Sequence, residues 1–251
     1  MRTHCKVMML VCFVVIVTGT ISAWGQTAPQ ATLPSVDEIL AKYEKAVGGK
    51  AAFEKLTSRV SKGTFDLGEM GSPGTTEMYQ KAPNKQVSIT DIPNFGVVRS
   101  GSNGTVAWLE TPQTGVEEIG GGAGAAMKRG ADFYQQVRLK EDYTKLAVKN
   151  KDSFEGHDVY VIEATPAEGS PELLSFDADS GLLVREQTQI EAPQGTIDID
   201  TRLGDYRDVD GVKLPYEIHQ VRSDFSFTIK ITEVKHNVPI DDAKFEKPAS
   251  Q

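Results

Sequence analysis

The sequence predicts an α+β protein that is mainly antiparallel β, with about ten to eleven strands. Three observations predict it. Apolar and polar residues alternate with a period of two through most of 59–237. Turn signals rich in Gly, Pro, Asn and Asp cut that stretch into short runs. Helical periodicity is confined to one segment before the strands and one segment within them.

The first residues stand apart. Residues 1–6 carry Arg2 and Lys6 and no acid, and the run 7–17 is apolar. Ala23-Trp24-Gly25 then supplies small residues for cleavage. This is the layout of a secretory signal peptide over 1–25, cut after Gly25 or, second best, after Ala23. The apolar run falls well short of the roughly 20 residues that span a bilayer, so an uncleaved anchor is the less favoured alternative. Cys5 and Cys12 both lie here, so the remainder has no thiol for catalysis or metal binding. A cysteine-free exported chain suits a bacterial periplasm better than an extracellular disulfide scaffold.

Residues 26–34 are polar, hold two prolines and read as a flexible leader. A single domain is expected over 35–251. It opens with a helix: Ser35-Val36-Asp37-Glu38 has the form of a capping box, and Ile39, Leu40, Tyr43 and Val47 follow on one face. Gly48-Gly49 ends that helix, and a short second helix is expected over 50–56.

The strands follow. Ser61, Gly63, Phe65 and Leu67 share one face. In the C-terminal half Ile197, Ile199 and Leu203 share a face. Val212, Leu214, Tyr216 and Ile218 share another, and Phe225, Phe227, Ile229 and Ile231 a third. One apolar face per strand means one covered face per sheet, and a sheet of this size must curl, split or close. Between the halves lies Gly120-Gly121-Gly122-Ala123-Gly124, read as a hinge. An amphipathic helix over 125–139 follows, with Met127, Tyr134 and Val137 on one side. Such a helix could act as a lid.

Composition excludes several function classes. The chain has 251 residues with 27 basic and 35 acidic side chains, a net charge of −8. Loss of 1–25 removes two basic residues and leaves 25 against 35, a net charge of −10. Nucleic acid as main partner needs a concentrated basic face and is excluded. His157, His219 and His236 show no metal-ligand spacing. Asp177 and Asp179, like Asp205, Asp208 and Asp210, sit in tight turns where Asp bonds nearby backbone. Counted as a calcium loop from Asp177, position 5 is Gly181 and position 12 is Thr188, so the pattern fails. The glycine run fits neither a dinucleotide nor a phosphate loop, and no serine-nucleophile motif is present. No catalytic residue, no metal site and no cofactor is assigned, and a non-enzymatic binding role is expected.

Four motifs resemble the LolA/LolB-like superfamily of periplasmic outer-membrane lipoprotein carriers. Tyr79-Gln80-Lys81-Ala82-Pro83-Asn84 resembles its K-R-P-N strand end. Ser102-Asn103-Gly104-Thr105-Val106-Ala107-Trp108, with Pro112 following, resembles its D-G-x-x-x-W hairpin. Phe176-Asp177-Ala178-Asp179-Ser180-Gly181 resembles a later D-x-x-G hairpin. Pro239-Ile240-Asp241-Asp242-Ala243-Lys244-Phe245, followed by Pro248, resembles the C-terminal ending. The family's arginine is replaced by Ala82, which separates the chain from a strict LolA.

The resemblance implies a strongly curved, incomplete β-barrel with helices over its concave face. It also implies a monomeric periplasmic carrier that holds lipid or lipoprotein acyl chains in outer-membrane lipoprotein sorting. The ligand-binding residues expected on this basis are Phe65, Leu67, Trp108, Met127, Tyr134 and Val137. A sensor or assembly module of the same fold, bound to an inner- or outer-membrane protein, is the alternative. Apolar space between sheet and helices is filled by a ligand in one reading and by packed side chains in the other.

Overall fold

The computed structural model describes residues 32–192, 195–223 and 225–249. The expected signal peptide, its cleavage site and the leader as far as residue 31 lie outside the described residues.

Helix α1, Val36–Ala46, begins as its capping box dictates. The Glu38 amide donates to Ser35 Oγ at 3.3 Å, and the Ser35 amide donates to the Glu38 carboxylate at 2.8 Å. Its apolar face buries Ile39 and Tyr43. Gly48 ends it at φ +114°, and a Cβ there would meet the Gly211 carbonyl oxygen at 2.2 Å. Helix α2, Lys50–Phe53, is shorter than expected, yet Leu56 beyond it is still buried.

Among the described residues thirteen strands follow, all paired antiparallel in one sheet. The first meander is β1 Ser58–Asp66, β2 Gly74–Lys81, β3 Lys85–Ile92, β4 Gly96–Ser102, β5 Ala107–Thr111 and β6 Gly115–Ile119. The second is β7 Tyr143–Phe154, β8 His157–Pro166, β9 Glu172–Asp177, β10 Leu183–Ala192, β11 Gly195–Val209, β12 Val212–Arg222 and β13 Ser226–His236. Pairing of β1 with β13 joins the meanders, and β6 and β7 are left as the two edges. The count exceeds the expected ten to eleven. Strands β5, β6 and β9 have five, five and six residues, too few for alternation to repeat clearly.

The chain must travel from one edge to the other between β6 and β7. It does so through α3, Gly121–Gly130, and α4, Gln135–Arg138. Helix α3 packs against β4 and β5 on one side and β10 on the other. Strands β5 and β10 stand eight positions apart in the sheet order, about 38 Å if the sheet were flat. A ten-residue helix is only about 15 Å long, so the sheet is strongly curved while its edges stay unpaired.

Two expectations about this crossing are corrected. The single helix over 125–139 is broken at Asp132 and Phe133. There the Phe133 amide donates to the Pro83 carbonyl at 2.9 Å and Asp132 caps the Tyr134 amide at 2.8 Å. The glycine run is not a hinge but the first turn of α3, capped by Gly120. Its glycine at 124 is a packing requirement, because a Cβ would lie 2.1 Å from the Ile119 carbonyl oxygen. Gly130, at the other end of the same helix, faces open space. Gly130→Ala should therefore raise stability by up to about 1 kcal/mol, the ordinary helix preference. Gly124→Ala should lower it, since the backbone must move. Thermal unfolding of the two variants checks this, and equal shifts would refute it.

Candidate functional site

Cross-strand partners share a face, and the register sorts the side chains. Ile162, Leu174, Phe176, Val212 and Leu214 lie on the face under α1, α2 and α4, where they form the main core with Ile39, Tyr43 and Phe53. The same face continues away from those helices as a row: Leu203 pairs with Ile218, Ile218 with Ile229, and Ile229 with Phe65. Phe227 extends the row, its ring 4.9 Å from that of Phe65. Leu203, Ile218, Phe227 and Ile229 are only half-buried, and Phe65, Ile218, Phe227 and Ile229 stand outside the core cluster. This is an apolar strip with incomplete cover.

The strip meets a polar cluster beneath α3. Arg129 pairs with Glu172, with both side chains about seven-eighths buried. The Arg129 guanidinium lies over the Tyr143 ring at 5.3 Å, and the Tyr143 hydroxyl donates to Glu172 at 2.6 Å. Burial, then the Glu172 charge, pushes the Tyr143 hydroxyl well above its ordinary range. Glu186, on the same face of β10, is pushed up to about 7 by burial and by Glu172, with Arg129 partly offsetting. A cleft of about 450 Å³ opens between the start of α3 and β10, with Arg129, Glu172, Thr188 and Ile190 on its walls.

The expected site residues do not converge on one place. Val137 is buried in the main core, and Tyr134 packs against that core with its hydroxyl donating to the Leu56 carbonyl at 3.1 Å. Met127 is half-buried on α3. Phe65 anchors the apolar strip, and Leu67, half-buried, follows the end of β1.

Trp108 requires a correction. Its register partners are Gly101 and, beyond it, Val87 and Tyr79, all on the opposite face of the sheet from the helices. It is 1% exposed and clusters there with Val87 and Phe245. The cover is the C-terminal segment, in which the Trp108 indole N–H donates to the Phe245 carbonyl at 3.3 Å. Lys81 bonds the Ile240 carbonyl at 2.8 Å and pairs with Asp242 at 2.7 Å in the same strap. Trp108 therefore holds the tail to the outer face and does not line the helix side.

Sequence reading missed Arg129, Tyr143, Glu172 and Glu186. One signal was available: Arg185-Glu186-Gln187-Thr188-Gln189 has no apolar face, although its neighbour strands do. Among the described residues no group of three or more His, Cys, Asp or Glu could hold a metal ion. Asp177 serves its turn, accepting from the Ser180 amide and hydroxyl at 2.6 Å each.

No protein-family model and no curated relative matches this sequence. Solved structures do. A DUF1329 family protein from Desulfovibrio piger is 14% identical with a TM-score of 0.57, over 86% of this chain and 99% of that one. A LolA superfamily protein from Nitrosomonas europaea is 13% identical with a TM-score of 0.56, again over 86% and 99%. The fold is LolA-like. A provisionally assigned outer membrane lipoprotein-sorting domain from Vibrio parahaemolyticus agrees, at 13% identity and a TM-score of 0.54 over 84% and 95%. In this LolA-like fold the helices cover part of the inner face and leave Ile218, Phe227 and Ile229 half-buried.

Proposed function

We propose that this protein is a periplasmic, non-enzymatic carrier that binds acyl chains of lipids or lipoproteins on the apolar strip of its helix-facing surface. The observation that carries the reading is the half-buried row Ile218, Ile229 and Phe227, which continues the helix-side face beyond Leu203 and stands outside the core cluster. Apolar side chains in that state gain about 25 cal/mol for each Å² taken out of water. An acyl chain supplies such cover without demanding hydrogen bonds. Export is supported by the charged, apolar and small-residue order of 1–25. The lipoprotein-sorting domain among the neighbours of this fold is consistent with such cargo.

Affinity should grow with chain length, by about 0.8 kcal/mol for each methylene buried. The check is displacement of an uncharged fluorescent acyl probe by fatty alcohols of increasing length. Ile218→Asp, which places a charge in mid-strip, should abolish displacement while the protein stays folded. Binding that does not depend on length, or that survives Ile218→Asp, would refute the reading.

A further inference from the structure

One cation on the inner face has no counter-charge. Arg59, on β1, is 8% exposed, and its guanidinium lies 5.3 Å from the centre of the Phe133 ring. Among the described residues no carboxylate lies within 4.0 Å of it, and its Nε is buried without a hydrogen-bond partner. Burial alone pulls this guanidinium down to about 10. Its cross-strand partner is His236, whose side chain is 1% exposed. His236 Nδ1 bonds the Asp210 carboxylate at 2.9 Å, and its Nε2 is also buried without a partner.

An unpaired buried guanidinium is costly unless something completes it. Phe133 offers a ring face but no acceptor for the N–H groups. Along the same face of β1 the residues after Arg59 are Ser61, Gly63 and Phe65. Along β13 the residues leading away from His236 end at Ile231 and Ile229. The track thus begins at a cation and ends in the apolar strip. Its length from Arg59 to Phe65 is about 20 Å at strand rise, the reach of a long acyl chain.

We propose that Arg59 is the headgroup site for an anionic amphiphile whose chain runs along the β1–β13 track toward Phe65. The head carries an anionic oxygen, a carboxylate or a phosphate, that accepts from the guanidinium. Burial and the Arg59 charge hold the His236 imidazole below its ordinary range against the pull of Asp210, so the guanidinium is the cation that meets the anion. The proposal rests on the acyl-binding reading above and adds the charge of the ligand.

The test compares hexadecanoate with its uncharged counterpart hexadecanol, each displacing the uncharged acyl probe. Wild-type protein should prefer hexadecanoate by about 10- to 100-fold, the worth of a charge-assisted bond to a buried group. Arg59→Met, similar in size and uncharged, should bind both ligands as wild type binds hexadecanol, with a melting temperature unchanged or raised. Arg59→Gln serves if Arg59→Met does not fold, and the wild-type comparison needs no variant. Inorganic phosphate should not displace the probe at concentrations where hexadecanoate does. Displacement by phosphate alone would make this a site for free anions and overturn the headgroup assignment. Equal affinity for the two ligands, or a preference that survives loss of Arg59, would also overturn it. Hexadecanol binding would then still uphold the acyl reading. If neither ligand binds, both readings fall together.

Discussion

Trp108→Ala should cost about 3–5 kcal/mol of folding stability and leave acyl-chain binding unchanged. The indole is fully buried, packs with Val87 and Phe245 and bonds the Phe245 carbonyl. Its removal opens a cavity under the C-terminal strap and frees that carbonyl. The loss is a large part of the 5–15 kcal/mol that a folded domain has in total. Binding should not change, because the sheet separates this cluster from the apolar strip. Two measurements are needed: denaturant unfolding for stability, and probe displacement under conditions where the variant is folded. The intrinsic fluorescence of Trp108 should follow the strap, so Phe245→Ala should shift it to the red and ligand should not. A variant that is folded yet no longer binds would return Trp108 to the ligand site.

The separation of the two faces explains which features were legible in the sequence. Alternation in β11, β12 and β13 named the apolar face correctly, since those strands are long enough for the period to repeat. The capping box of α1 was legible because its bonds run within four residues. Trp108 was not placed, because alternation says that two residues share a face and not which face meets the helices. That choice depends on pairing across the whole sheet. The glycine run illustrates another limit: glycine serves a hinge or a close contact equally well, and only the Ile119 carbonyl decides. Arg59 and His236 looked like ordinary strand residues because the burial of Arg59 Nε and His236 Nε2 without a partner is a property of the assembled interior. A net charge of −8 gives no hint of a lone cation inside.

Arg129→Met and Glu186→Gln should shift stability in opposite directions, and their pH dependence identifies the cause. Arg129 is the cation that pairs with Glu172 beneath α3, and both side chains are largely buried. Removing one partner of such a pair typically costs about 3–5 kcal/mol, because the other charge is left unsatisfied. Glu186 has the reverse role. Its carboxyl titrates at 4.5 when unperturbed and at about 7 in the fold, raised first by burial and then by Glu172. The folded state therefore holds this proton more tightly than the unfolded chain. Its contribution to stability is fully present below about pH 4.5 and is lost as pH rises through 7. Asp142, raised to about 6 chiefly by burial, adds a loss of the same sign. Glu186→Gln should thus stabilise the protein at pH 8 by on the order of 2–3 kcal/mol and change little at pH 4.5. Arg129→Met should be most damaging at pH 8 and milder in acid, where Glu186 is already neutral. Unfolding curves for both variants from pH 4.5 to 8 provide the measurement. A pH-independent effect of Glu186→Gln would mean that its carboxyl is solvated in the fold, and that the cluster beneath α3 does not confine its charges.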